Sequence, residues 1–462
     1  MYERYRIETS LIKLASTQIG KFDIIRRDDC LNCGQCISHC IYEVHRRDEK
    51  DHRKMAEPVS HLCKNCFACV QNCPRQALEM VINEQFESLG DSYWTPPVIH
   101  TIWKEAEEGK IPVYGAGYRG RFKGSGFDAI WTDMSEIVRP TRDGIHSREY
   151  IATAVDVGRK PSWIADFDNL DLPRFHEIQI PMLFEADPLG IRAKNIILAV
   201  VKAAHELGTL AYLDFENSFD ELEPFFQSIV LRSPLDRIFQ TDPALLKKAS
   251  FVELTLPESH PTDDLEGVLT RLKSHNPALL VSLGLSSHLF TEEMFKLVKE
   301  SLVDGLNLFA DRRGQCSGGE MFITESARKL HLNLVKRHIR DEITLLGKGG
   351  IAAAEHVPKL IICGTDAAVL DHSLMVALGC RMCEICRIEA CPAELPKLDS
   401  EAAKQRLINL TCAWRDQLLE ILSAMGIRDV RRLRGEAGRA MFYEEIERES
   451  FGVIFEERYL FK

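Results

Sequence analysis

Past residue 180 the chain alternates between short runs of β-branched and aliphatic residues and longer stretches whose apolar positions recur every three or four residues. The short runs fall at 180–184, 209–215, 227–231, 251–256, 279–283, 305–309, 342–346 and 367–370. Their composition predicts strands, and the periodicity between them predicts helices. Residues 264–274 place Leu265, Val268, Leu269 and Leu272 on one helical face, and a second such stretch covers 292–302. Eight strands alternating with helices predict an α/β fold, a (β/α)8 TIM-type barrel whose chemistry sits on the loops after the strands. From residue 400 onward Leu407, Leu410, Trp414, Leu418 and Leu422 mark one face of a packing helix. Cys363 and Cys412 lie in helical patterns and read as core residues.

Cysteine usage changes the picture. Twelve of the 15 cysteines fall into three tight groups, with Cys316, Cys363 and Cys412 outside them. Core packing would scatter them, so the groups point to metal centres. Cys30, Cys33, Cys36 and Cys40 form the first group, and Cys63, Cys66, Cys69 and Cys73, followed by Pro74, repeat its spacing. This is the bacterial ferredoxin pattern, in which a compact loop gives three thiolates to one [4Fe–4S] cluster and its fourth thiolate to the other. The pattern assigns Cys30, Cys33, Cys36 and Cys73 to one cluster, and Cys40, Cys63, Cys66 and Cys69 to the second. It also predicts an α+β ferredoxin-like domain at the amino terminus. A pair of zinc sites is the alternative, but zinc usually takes two separated cysteine pairs and leaves the third close cysteine of each run unexplained. Ile41 stands where a proline often follows the first run, and residues 46–54 read as a charged solvent loop.

Length and charge narrow the function classes. The 462 residues allow two to four domains, and 45% hydrophobic with 27% charged residues is ordinary globular composition. A net charge of −11 gives nucleic acid little reason to bind. No run reaches the ~20 apolar residues a membrane span needs, since Lys202, His205 and Glu206 interrupt the best candidate. The first residues, Met1 to Arg6, lack the apolar core of a signal peptide, so the reading is cytoplasmic.

The third group is Cys380, Cys383, Cys386 and Cys391, followed by Pro392. Two close pairs also suit a zinc knuckle. The stretch Lys348-Gly349-Gly350-Ile351, then Ala377-Leu378-Gly379-Cys380 with Cys386 and Cys391 beyond, resembles the FMN-binding synthase domain of glutamate synthases. The lead-in Tyr93-Trp94-Thr95-Pro96, Ile102-Trp103-Lys104 and Val157-Gly158-Arg159-Lys160-Pro161 fits the same family. With the double-ferredoxin start, the chain is similar to the archaeal-type arrangement of that family over roughly residues 90 to 430. The resemblance implies that Cys380, Cys386 and Cys391 hold a [3Fe–4S] cluster beside FMN. Cys383 adds a fourth thiolate, so the third cluster is [4Fe–4S] or [3Fe–4S]. The resulting organisation is a ferredoxin-like domain at 1–90, a lead-in at 91–175, the barrel at 176–379, the third cluster motif at 380–396, and helices and a tail at 397–462.

The resemblance weakens at the loops that would hold FMN. Lys348, Gly349 and Gly350 remain as candidates for the flavin phosphate, but Asp371 and His372 stand where the family has glycine and threonine. Phe184-Glu185-Ala186-Asp187, Asp214-Phe215-Glu216-Asn217 and Pro257-Glu258-Ser259-His260 replace small or glycine-rich turns, and Gly314 to Gly319 are the remnant of another. All these departures lie on the active-site face. Glu185, Asp187, Asp214, Glu216, Glu258, His260, His288, Asp311, Cys316, Asp371 and His372 could instead gather a metal or a cationic substrate, or form a solvated rim. No catalytic residue is assigned. The expected function is an iron–sulfur electron-transfer protein, a subunit of a larger redox complex, whose glutamate synthase chemistry is lost and whose FMN is doubted. The alternatives are an FMN-dependent glutamate synthase-like oxidoreductase fed by ferredoxin, and a scaffold stapled by its clusters. Expected partners are other redox subunits or a ferredoxin-like carrier, for which Arg428, Arg431, Arg432, Arg434 and Arg439 offer a basic stretch, and a homo-oligomer is also allowed.

Overall fold

The structure, a computed structural model, describes residues 5–111, 126–132, 150–160, 174–217, 219–240, 243–256, 265–286, 291–317, 321–383, 386 and 391–442. Two compact units divide the chain: Lys13–Trp103 with Gly379–Glu394, and Met1–Ile12 with Lys104–Leu378 and Leu395–Lys462. All twelve grouped cysteines therefore fall in the first unit.

In that unit β1 (Phe22–Arg26) pairs antiparallel with β2 (Leu78–Ile82), Phe22 opposite Ile82. Two short helices, α1 (Gln35–His39) and α2 (Ala68–Gln71), carry Cys36 and Cys69. Ile24, Val44, Cys69 and Leu78 make a small buried core, and Cys36, Cys40, Cys63 and Cys73 pack against it. So small a core stabilises little by itself, which is why domains of this size commonly rely on metal ligation. The charged loop expected at 46–54 closes on a bridge between Arg47 and Met55, with Asp48 accepting from the amides of Lys50 and Asp51.

The second unit is the expected barrel. Its strands are β3 (Met182–Glu185), β4 (Ala211–Asp214), β5 (Ile229–Pro234), β6 (Phe251–Thr255), β7 (Leu280–Leu285), β8 (Gly305–Phe309), β9 (Thr344–Lys348) and β10 (Ala367–Leu370). They close in sequential order, all parallel, with Ala368 to Leu370 on β10 meeting Met182 to Phe184 on β3. The strands at 305–309 and 367–370 lie where the sequence predicts. Those predicted at 180–184, 227–231 and 342–346 end instead on Glu185, past Arg232, and on Lys348. Hydropathy reads a charge as a strand end, but these three side chains turn into the barrel.

Two features tie the carboxyl-terminal helix and the lead-in to the barrel. The helix α4 (Ser400–Ala424) packs beside α3 (Lys194–Glu206), and its buried Arg406 donates to the Ala377 carbonyl at 2.7 Å. Trp414, on the predicted face, is buried and donates to Glu105 at 2.9 Å. At the amino-terminal end of the strands, buried Asp366 accepts from Arg340 (2.9 Å), Lys160 (3.1 Å), Arg434 (3.0 Å) and the Leu345 amide (2.7 Å). Burial would raise this carboxyl, but the surrounding cations hold it well below the usual carboxylate range. Asp366→Asn would leave three cations around a neutral group, so it should lower unfolding stability by about 3–5 kcal/mol, read from denaturant unfolding followed by tryptophan fluorescence. A loss below about 1 kcal/mol would mean the cluster is not stabilising.

Candidate functional site

Three loops in the first unit open with the same turn. Two residues after Cys30, Cys63 and Cys380, the backbone is left-handed at Asn32 (φ 52°), Asn65 (φ 57°) and Met382 (φ 54°). In each case the amide of that residue donates to the first cysteine's sulfur, at 3.5, 3.4 and 3.4 Å. A second left-handed residue, Gly34 or Phe67, precedes α1 and α2 and turns the chain again between the second and third cysteines. Such turns wrap the backbone around a point outside it, with amides aimed at sulfur, as thiolate ligands require.

The surroundings of the thiols are set by burial and by their cysteine neighbours. Burial, then the thiols of Cys63 and Cys40 and finally of Cys66, push the Cys69 thiol up to about 11. The same four cysteines line one cavity with Ile24, Tyr42, Val44, Phe67 and Met80. Cys40 thus lies at a cavity shared with the second group. Burial, Cys30 and Cys33 raise Cys36, and Cys73 packs against the same core as Cys36. In the third group burial foremost, with Cys386, Cys383 and Cys391 adding to it, pushes Cys380 up to about 12. Thiols raised in this way stay protonated until a metal displaces the proton.

Among the described residues, one other potential ligand group occurs, Asp128, Glu355 and His356. No spacing signal could have found it, because Asp128 is remote in sequence. Lys359 lies 3.5 Å from Glu355, and His356 stacks on Phe127, so this group already has internal partners.

The barrel mouth is built from an ion-pair network. Arg232 on β5 donates two hydrogen bonds of 2.7 Å to Glu185 on β3 and one of 3.0 Å to Glu253 on β6. Lys348 on β9 donates to Glu185 at 2.7 Å, and Asn307 on β8 to Glu253 at 2.9 Å. The rings of Tyr212 and Phe309 lie beside the Arg232 guanidinium, and Phe309 also lies beside Lys348. Phe309 occupies the space a side chain at Gly284 would need. Burial would raise the Glu185 carboxyl, but Arg232 and Lys348 hold it down at about 2.

The flavin candidates make contacts within the chain. Lys348 is committed to Glu185. Gly349 and Gly350 have positive φ, and a side chain on either would strike the backbone at Ala310 or Gly314, so loop packing explains both glycines without a phosphate. The amide of His372 donates to the buried Asp371 carboxylate. Among the described residues, several acidic residues of the rim have partners within the chain. Asp187 accepts from the amides of Ile191 and Arg192, Asp311 from those of Arg313 and Gln315, and Glu216 pairs with Arg192 and Arg237. Asp214 is exposed at the end of β4 and Cys316 is buried, while Glu258, His260 and His288 lie outside the described residues. In the basic stretch Arg431 and Arg434 are engaged with Glu177 and Asp366.

Residues 322–428 match the family model described as the conserved region in glutamate synthase. The chain is 26% identical over 502 aligned positions to the archaeal glutamate synthase [NADPH] of Archaeoglobus fulgidus, covering 94% of this chain and 97% of that one. It is 25% identical over 480 positions to the archaeal-type glutamate synthase [NADPH] of Dehalococcoides mccartyi, covering 90% and 94%. A ferredoxin of Pyrobaculum islandicum is 27% identical over 79 positions, which cover 17% of this chain and 71% of the ferredoxin. No described helix is long and apolar enough to cross a membrane.

The network carries a pH signature. Glu185 titrates in the fold at about 2 against an ordinary 4.5. Its stabilisation is therefore complete above the ordinary value and is lost as pH falls toward the folded one. Glu185→Gln should cost about 3–5 kcal/mol at neutral pH and flatten the decline in melting temperature on acidification below about pH 5. Parallel melting curves for the two proteins across that range would contradict the pairing.

Proposed function

We propose, for a chain that shares the glutamate synthase conserved region and is related to archaeal-type glutamate synthases over nearly its whole length, that it is an iron–sulfur electron-transfer protein. The observation that carries this reading is the turn repeated at Cys30, Cys63 and Cys380, with four thiols gathered around a cavity in the second loop. Cys30, Cys33, Cys36 and Cys73 would hold one [4Fe–4S] cluster, Cys40, Cys63, Cys66 and Cys69 the second, and the group from Cys380 to Cys391 the third. When bound, such clusters supply one-electron transfer. The chain's own part is to orient the thiolates, to stabilise them with the amides of Asn32, Asn65 and Met382, and to exclude water behind Ile24, Val44 and Leu78. Cys33 and Cys66 are exposed, which suits exchange with a docked redox subunit or a ferredoxin-like carrier. The protein would thus be one member of a larger redox assembly.

The barrel does not suit FMN. A flavin phosphate would meet the Asp371 carboxylate and would find Lys348 already neutralised by Glu185. Like charges about 4 Å apart cost about 4 kcal/mol at an effective dielectric of about 20, comparable to what phosphate anchoring contributes. The original synthase reaction is accordingly lost from this chain. The rival reading, a flavoenzyme fed by ferredoxin, draws its support from the glutamate synthase names of the relatives.

Two experiments separate these readings. In an anaerobic redox titration with low-potential mediators, the clusters should reduce and reoxidise reversibly, and Cys66→Ser should remove one paramagnetic signal while the others persist. Clusters that stay silent across the accessible range would favour a staple over a conduit. Added FMN should keep its free fluorescence in the presence of the protein. Stoichiometric quenching, together with glutamate formed from 2-oxoglutarate, ammonia and reduced ferredoxin, would establish the flavoenzyme instead.

A further inference from the structure

We propose that Cys383 is a cluster ligand, so that the third centre is a four-iron cluster held by Cys380, Cys383, Cys386 and Cys391, unlike the three-cysteine, three-iron arrangement that the glutamate synthase resemblance implies. The inference rests on the reading above that this group binds an iron–sulfur cluster, and it concerns how many thiolates the chain provides.

The first support is a loop geometry shared with the ferredoxin-like groups. Cys380, Cys383 and Cys386 are spaced as Cys30, Cys33 and Cys36 and as Cys63, Cys66 and Cys69 are. Spacing alone is weak, but the backbone repeats as well: the left-handed residue and the amide donated to the first sulfur recur at Met382. Asparagine adopts that conformation readily, as at Asn32 and Asn65, whereas a methionine there is uncommon and costs about 1–2 kcal/mol. A buried methionine in this conformation indicates a turn fixed by what the loop surrounds. The residue the turn delivers is Cys383, as the turns at Asn32 and Asn65 deliver Cys33 and Cys66.

The second support is where the fourth cysteine goes. In the amino-terminal pair Cys40 lines the cavity of Cys63, Cys66 and Cys69. Cys391 instead stays with its own group, within electrostatic reach of both Cys380 and Cys386, as Cys383 also is. Gly90 donates to the Arg381 carbonyl at 3.0 Å and fixes the start of this loop within its unit. Among the described residues, the four thiols of the third group therefore keep together. Four thiolates meet the four corners of one cubane, whereas Cys380, Cys386 and Cys391 alone would leave one corner without a protein ligand.

The test compares the full-length protein with Cys383→Ala and Cys383→Ser, isolated anaerobically and incubated with ferrous iron, sulfide and a thiol reductant. After gentle oxidation the wild type should lack the near-isotropic resonance of an oxidised three-iron cluster, and its Mössbauer spectrum should place all of its roughly twelve irons in four-iron clusters. Cys383→Ala should gain that resonance at about one spin per chain and resist its removal by further ferrous iron, while both ferredoxin-like signals remain on reduction. Cys383→Ser, with an oxygen ligand, should retain four irons with a changed reduced spectrum. A persistent three-iron signal in the wild type, or a Cys383→Ala spectrum identical to the wild type, would overturn the proposal. Should a variant fail to fold, the wild-type Mössbauer spectrum alone decides it. A wild type with only about eight irons would instead remove the third cluster itself, and with it the reading on which the inference rests.

Discussion

A guanidinium and two carboxylates buried in a closed barrel would each be prohibitive alone, and the mouth of this barrel depends on their mutual compensation. Arg232 bridges Glu185 and Glu253, and Lys348 completes the charge balance on Glu185. Removing one member leaves an uncompensated charge in a low-dielectric site, so the group is retained or lost as a unit. That coupling sets the shape of the mouth: Phe309 is held beside both cations, and the end of β9 is drawn toward β3. A cation that could have met a phosphate is thereby turned inward. The proposal that this barrel holds no flavin rests on these electrostatics together with the loop substitutions.

The same network marks the boundary of what the sequence discloses. The eight-strand alternation and the duplicated cysteine spacing are local patterns, and the barrel and the antiparallel pair of the first unit are where those patterns place them. Strand ends were less legible. Glu185, Arg232 and Lys348 look like surface residues because their partners lie 47, 21 and 163 positions away along the chain. The place of Cys40 beside the other loop's cysteines agrees with a ferredoxin-type spacing, in which the fourth corner of a cluster points away from its own loop. The left-handed Met382 was not legible, since nothing in its residue type marks the turn that Asn32 and Asn65 advertise.

Division of labour between the two units follows from what each can bury. The barrel unit encloses a large apolar interior and tolerates charged residues within it. The cysteine-bearing unit has a core of a few side chains, so its loops depend on bound metal for much of their order. On the proposed reading, cluster ligation would supply stability and redox function from the same thiolates. A protein of this design can lose the chemistry at its barrel mouth and still keep an electron-transfer role.

The central claim is that this chain holds iron–sulfur clusters and no flavin. The most direct test is a composition measurement on one anaerobically prepared sample, with iron, sulfide, zinc and acid-released flavin quantified against protein. The account predicts about twelve irons and about twelve sulfides per chain, with neither zinc nor flavin in stoichiometric amount. One FMN per chain, or zinc in place of iron, would contradict it.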